Sequence, residues 1–168
     1  NTDWDAVVIV LNSTGQQVIW STFMGGSGED LLECMTIDSQ NSVIAAGSTE
    51  SNDFPVKNAT QSANAGGKDV ALVKFTSTGS LAWSTYYGGS GNDGNAVGNQ
   101  DANVSAVVSD QADRIYIIGK TASTDLPVPQ GSQTTYGGGS SDAYVAKHTA
   151  SGALCWASYI GGSEMEDG

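Results

Sequence analysis

Short runs of β-branched and aromatic residues recur along the chain, each closed by a cluster of Gly, Ser, Thr, Asn or Asp. Residues 5–11 (DAVVIVL) and 17–24 (QVIWSTFM) flank the turn NSTG that ends at Gly15, which predicts a β-hairpin. The same signal predicts strands at 34–38 and 42–48, joined through Ser39-Gln40-Asn41. Further strands are predicted at 69–75, 80–87, 104–109, 114–121, 142–148 and 153–160. Helical periodicity is missing at useful length; its best stretch, GEDLLECM, is short and opens on a glycine. The pattern therefore predicts an all-β chain of about ten strands.

The runs also repeat. WSTFMGGSGED from Trp20 returns as WSTYYGGSGND from Trp83 and as WASYIGGSEMED from Trp156. Asp5, Asp69 and Asp142 each open a unit, 64 and then 73 residues apart. DSQNSVIAAGSTESNDFP from Asp38 matches DQADRIYIIGKTASTDLP from Asp110, with 17 residues from Asp to Pro in both. The difference in unit length is local: Ser27 to Asp38 is 11 residues and Ser90 to Asp110 is 20, so the second copy gains nine near GNDGNAVGNQDANVS. Self-similarity at this period marks a repeat architecture.

The pattern D-A-x-V-x-K-x-x-x-x-G-x-x-x-W-S-T-Y-x-G-G-S, followed by D-x-x-x-x-(V/I)-x-x-x-G-x-T-x-S-x-D-(F/L)-P, resembles the SBBP family of bacterial β-propeller repeats over nearly the whole chain. His148 after Lys147, Cys155 before Trp156 and the nine-residue insertion depart from it. The resemblance implies tandem four-stranded antiparallel blades. On that reading residues 1–31 are an outer half-blade, 32–90 a full blade and 91–168 a full blade with an insertion at about 91–103. Two and a half blades do not close a ring, and an unpaired half-blade exposes a strand edge. The chain is thus expected to be part of a larger propeller, or a subunit completed by neighbours in a ring or a head-to-tail filament.

Composition narrows the partners. Six basic against 18 acidic residues give a net charge of −12, which repels nucleic acid and anionic membranes. No window approaches the roughly 20 apolar residues of a membrane span, and no signal-peptide pattern opens the chain, so it is expected to be mature or excerpted. Cys34 and Cys155 do not occupy equivalent repeat positions and are expected to be free buried thiols. An acidic, Gly/Ser/Thr/Asn-rich surface with few lysines suits secreted proteins, and with the resemblance it implies an extracellular or cell-surface address in a bacterium or archaeon.

The acids after each Gly-Gly-Ser are read first as turn residues; the alternative makes Glu29, Asp30, Asp93 and Asp167 ligands of Ca²⁺. Their spacing matches neither an EF-hand nor a nonapeptide repeat. Asp5, Asp69 and Asp142 at strand starts are expected to cap backbone amides. Trp20, Trp83 and Trp156 are expected to pack between sheets, with sugar-stacking platforms as the alternative. Gly25, Gly88 and Gly161 are expected to form corners between blades. Asn12, Asn58 and Asn103 begin Asn-x-Ser/Thr sequons. The lone His148 has no repeated Ser and acid beside it, and one His with two scattered Cys makes no zinc site, so no catalytic or cofactor site is expected. Together these features predict a non-enzymatic structural protein whose partners are copies of itself or further blades. The alternative is a propeller module that binds carbohydrate.

Overall fold

In the computed structural model, residues 3–93 and 104–164 are described. They form ten strands: β1 (Ala6–Leu11), β2 (Val18–Met24), β3 (Asp30–Ile37), β4 (Val43–Thr49), β5 (Asp69–Phe75), β6 (Leu81–Tyr87), β7 (Val104–Ser109), β8 (Ile115–Thr121), β9 (Asp142–His148) and β10 (Leu154–Ile160). All pair antiparallel, in three sheets: β1–β2, β3–β4–β5–β6 and β7–β8–β9–β10. No helix occurs among the described residues. Each of the hairpins β1–β2, β5–β6 and β9–β10 turns on a glycine in the left-handed region, Gly15 at φ 71°, Gly79 at 85° and Gly152 at 87°, which is why glycine closes each polar turn.

The sheets stack face to face. The front face of the second sheet, with Ala71, Val73, Phe75 and Tyr86, packs on the back face of the first, with Val8 and Met24. Its own back face, with Val70, Leu72 and Tyr87, packs on Tyr144, Ala146 and Tyr159 of the third. β4 and β5 are consequently buried along their whole length, and a strand covered on both sides reads as a continuous apolar run. The edge strands β3 and β7 lie against each other, and Ser109 Oγ donates to the Ile37 carbonyl at 2.9 Å.

Two bulges recur at equivalent places. In the β1–β2, β5–β6 and β9–β10 hairpins the register slips one residue before each tryptophan, at Ile19, Ala82 and Cys155. In the β3–β4 and β7–β8 pairs it slips at Glu33 and Ser105. The second slip explains the one substantial departure from the predicted elements: β3 begins at Asp30, four residues before the expected start. The bulge at Glu33 breaks the period of two within GEDLLECM, which hides the strand there.

Candidate functional site: corners, tryptophan seats and a cavity

The Gly-Gly-Ser segments join each sheet to the next. Ser27 donates through both N and Oγ to Asp53 Oδ1 (2.7 and 2.8 Å) in the loop after β4. Ser90 does the same to Asp125 Oδ1 (2.7 and 2.9 Å) in the loop after β8. Beneath them, Asp30 Oδ2 accepts from Gly26 N and Ser51 Oγ, as Asp93 Oδ2 accepts from Gly89 N and Ser123 Oγ. Ser51 Oγ and Ser123 Oγ in turn accept from Gly28 N and Gly91 N, both at 2.8 Å. The first glycine of each motif is dictated by space. A Cβ on Gly25 would meet Asp5 and Asp30, and one on Gly88 would meet Asp69 and Asp93, all at 3.0 Å or less. Trp4, which lies outside the repeat in sequence, falls into register here: its carbonyl accepts from Asp30 N as that of Lys68 accepts from Asp93 N.

The tryptophans make a second link. Trp20 lies over the Gly79 turn of the next sheet and donates Nε1–H to the Ser77 carbonyl at 3.1 Å. Trp83 lies over the Gly152 turn and donates to the Ala150 carbonyl at 3.1 Å. A Cβ on either glycine would sit 2.8 Å from the indole, so the turn glycine supplies a flat seat as well as a positive φ. At the two ends of the stack the halves of this lock are separated. Gly15 has nothing within 4 Å of a Cβ position, and Trp156 Nε1 has no acceptor among the described residues.

The ends also expose apolar surface. Phe23 is 77% exposed, whereas its counterparts Tyr86 and Tyr159 are 1% exposed. Val7, Ile9 and Leu11 beside it are exposed, although Ala71, Val73 and Phe75 at the same positions of β5 are buried. β1 pairs only with β2, so its other edge is open among the described residues.

Electrostatics concentrate at the corners. Asp69 is fully buried and its carboxyl is pushed up to about 7, chiefly by burial; the Ala65 amide pulls it down, while the Asp93 charge adds to the rise. Burial likewise raises Asp93, against bonds from Thr121 Oγ1, Gly89 N and Ser123 Oγ. Asp30 Oδ2 and both Asp93 oxygens thus face N–H and O–H donors, Asp30 Oδ1 is buried without a partner among the described residues, and Glu29 pairs with Lys68 at 2.8 Å. A Ca²⁺ ion at these positions would have to displace those donors. Asp167 lies outside the described residues.

Asp69 and Asp142 cap as expected, accepting from Ala65 N and Gly137 N. Asp5 does not: it is exposed and no amide among the described residues donates to it. Trp83 is buried, whereas Trp20 and Trp156 are half-buried. Gly161 N is held by Gln133 Oε1 as Gly88 N is held by Gln61 Oε1. Both thiols are free but only half-buried, a correction to the expected full burial that follows from their seats on an edge strand and a bulge. Burial pushes the Cys34 thiol up to about 11, helped by the Glu33 charge and opposed by its bond to the Ala46 carbonyl. Asn58 is exposed at φ 51°, the Asn12 side chain ties the β1–β2 turn through Gln16 N and Gln17 N, and Asn103 lies outside the described residues.

A cavity of about 580 Å³ opens between the second and third sheets, lined among others by Tyr87, Pro127, His148 and Leu154. His148 is 1% exposed, and its Nδ1 lies 3.2 Å from the Gly152 carbonyl. Its role was not legible beforehand; the only signal was its departure from the repeat. No protein-family model matches the chain, and no curated protein matches it.

Proposed function

We propose that this chain is a non-enzymatic, extracellular structural protein built of propeller-like blades, each sheet being one blade and the first sheet an outer half-blade. Its open ends are completed by further units of the same repeat, on another copy or elsewhere in the same polypeptide. One observation carries this reading: the vacant Gly15 seat and the unseated Trp156 are the two halves of a lock that closes twice inside the chain. Magnitudes say what the partner must offer. Burying Val7, Ile9, Leu11 and Phe23 is worth about 1.5–3 kcal/mol each at most, which association costs of roughly 4–15 kcal/mol can cancel. The partner must therefore also pair with the β1 edge and supply an S-x-D loop to the third Gly-Gly-Ser. Only a unit of this repeat carries all three. Contact between unlike ends gives a ring where the rotation closes and a filament where it does not.

Light scattering and electron microscopy across a concentration series test the proposal. Rings or fibres are expected, lost in Val7→Lys/Ile9→Lys and equally in Trp156→Ala at the opposite end, with the unfolding midpoint of the double lysine variant unchanged. A monodisperse monomer at every concentration would sink the self-assembly form of the proposal.

A further inference from the structure

The tryptophan lock between the second and third sheets has a second arm. The Ala150 carbonyl, two residues before Gly152, accepts from Trp83 Nε1 at 3.1 Å and also from Lys74 Nζ at 3.3 Å. Asp38 holds the same ammonium at 2.7 Å. Between the first and second sheets the Ser77 carbonyl, two residues before Gly79, accepts from Trp20, but Val10 stands where β5 carries Lys74. β9 has lysine at this position again, as Lys147. The third sheet therefore carries both arms, Trp156 and Lys147, with no further sheet to receive them among the described residues.

Lys147 is placed to act outward. Tyr144 and Ala146 pack against the second sheet, so the alternation of β9 turns Val145 and Lys147 to the opposite face. There the ammonium rests 5.2 Å above the ring of its cross-strand partner Tyr116. Asp110, the counterpart of Asp38, is already engaged: its Oδ2 accepts from Arg114 Nε at 2.7 Å and from the Tyr116 hydroxyl at 3.1 Å. No carboxylate pairs with Lys147 among the described residues. An ammonium resting on a ring face retains N–H donors for an oxygen acceptor.

The matching acceptor lies at the other end of the stack. Ser13, two residues before Gly15, has a carbonyl that meets no donor among the described residues. The apolar faces beside the two ends correspond as well. Within the chain, Leu72 and Tyr87 pack in one cluster with Tyr144, Ala146 and Tyr159. Val145 and Ile160 of the third sheet hold the positions of Leu72 and Tyr87, while Val7, Ile9 and Phe23 of the first hold those of Tyr144, Ala146 and Tyr159. Val7, Ile9, Phe23 and Ile160 are each at least half exposed.

We propose that the third sheet docks the β1–β2 hairpin of a second copy of this chain, whose Ser13 carbonyl accepts from both Trp156 Nε1 and Lys147 Nζ. The joint between copies thus reproduces the lysine-armed joint of the second and third sheets and not the single-armed joint of the first and second. This docking deepens the self-assembly form of the proposed function and rests on it.

Lysine footprinting tests the docking: timed acetylation across a concentration series, read by mass spectrometry. Lys147 should react readily in the dilute protein and slow as copies assemble, while the exposed Lys57 keeps its rate. Lys147→Met should raise the concentration of half-assembly about fivefold or more, the loss expected of one charge-assisted bond at a half-exposed site, with its urea midpoint unchanged. Lys147→Arg, which keeps N–H donors, should restore assembly. Trp156→Phe, which keeps a ring but no N–H, should weaken it. A Lys147 rate that stays constant while copies assemble, or Lys147→Met assembling like the wild type, would overturn the docking and leave self-assembly standing. A monomer at every concentration would overturn both.

Discussion

Gly15, Gly79 and Gly152 share a backbone conformation but not an environment, and the contrast separates two effects that usually travel together. Alanine at any of them suffers the strain of a positive φ, about 1 kcal/mol. Only at Gly79 and Gly152 would its Cβ also strike an indole. Gly79→Ala should therefore lower stability by at least about 1 kcal/mol more than Gly15→Ala, read as the difference in urea midpoints at constant slope. Two titrating residues give opposite pH signatures. Asp69 is raised in the fold from 3.8 to about 7, so the stability it contributes is present at low pH and lost as pH rises through that window. Asp69→Asn, which cannot ionise, should gain on the wild type by more than about 1 kcal/mol between pH 4 and pH 8 in paired denaturation curves. His148 is lowered from 6.5 to about 4, so its contribution is present above 6.5 and lost as pH falls through that window. His148→Phe should abolish that acid-side loss. The raised Cys34 thiol should alkylate slowly at pH 8 relative to the unfolded chain, as mass spectrometry after timed iodoacetamide would show.

At the scale of elements, the corner is the cooperative unit. Ser51 Oγ accepts from Gly28 N and donates to Asp30 Oδ2, so Ser51→Ala strands the Gly28 amide and removes one of the two donors, beside Gly26 N, that hold the buried carboxylate oxygen. A loss of about 1–3 kcal/mol is expected from chemical denaturation, with Ser123→Ala matching it at the second corner. The strands and the repeat were legible in the sequence because a half-buried hairpin writes its period directly into residue type, and because glycine closes each turn. The start of β3 was not, since the bulge at Glu33 erases that period over the residues that would announce it. The corners were visible as repeated letters, but their partners Asp53 and Asp125 lie 26 and 35 residues from the serines they hold. Spacing alone gave no reason to join them. The cavity was illegible for a further reason: it arises where two sheets meet, and one side chain, His148, is its sole mark in the sequence.

At the scale of the whole molecule, each sheet touches only its neighbours, so stability approximates a sum over adjacent contacts, as in solenoid repeats. The first sheet, with two strands and one covered face, should open most readily. Adding a unit to either end should raise the stability of the end sheet more than that of the middle one, which calorimetry of extended chains bearing another copy of residues 32–90 would measure. The burial of β5 on both faces has a kinetic counterpart in the solvent's access to the backbone. Its amides are screened from water by two sheets at once, so their exchange with deuterium should require the entire stack to come apart. The amides of β1 need only a local excursion. A protein built this way keeps its clock in the middle: the slowest-exchanging amides of β5 would report global unfolding, while those at the rim would report whether a neighbour has arrived.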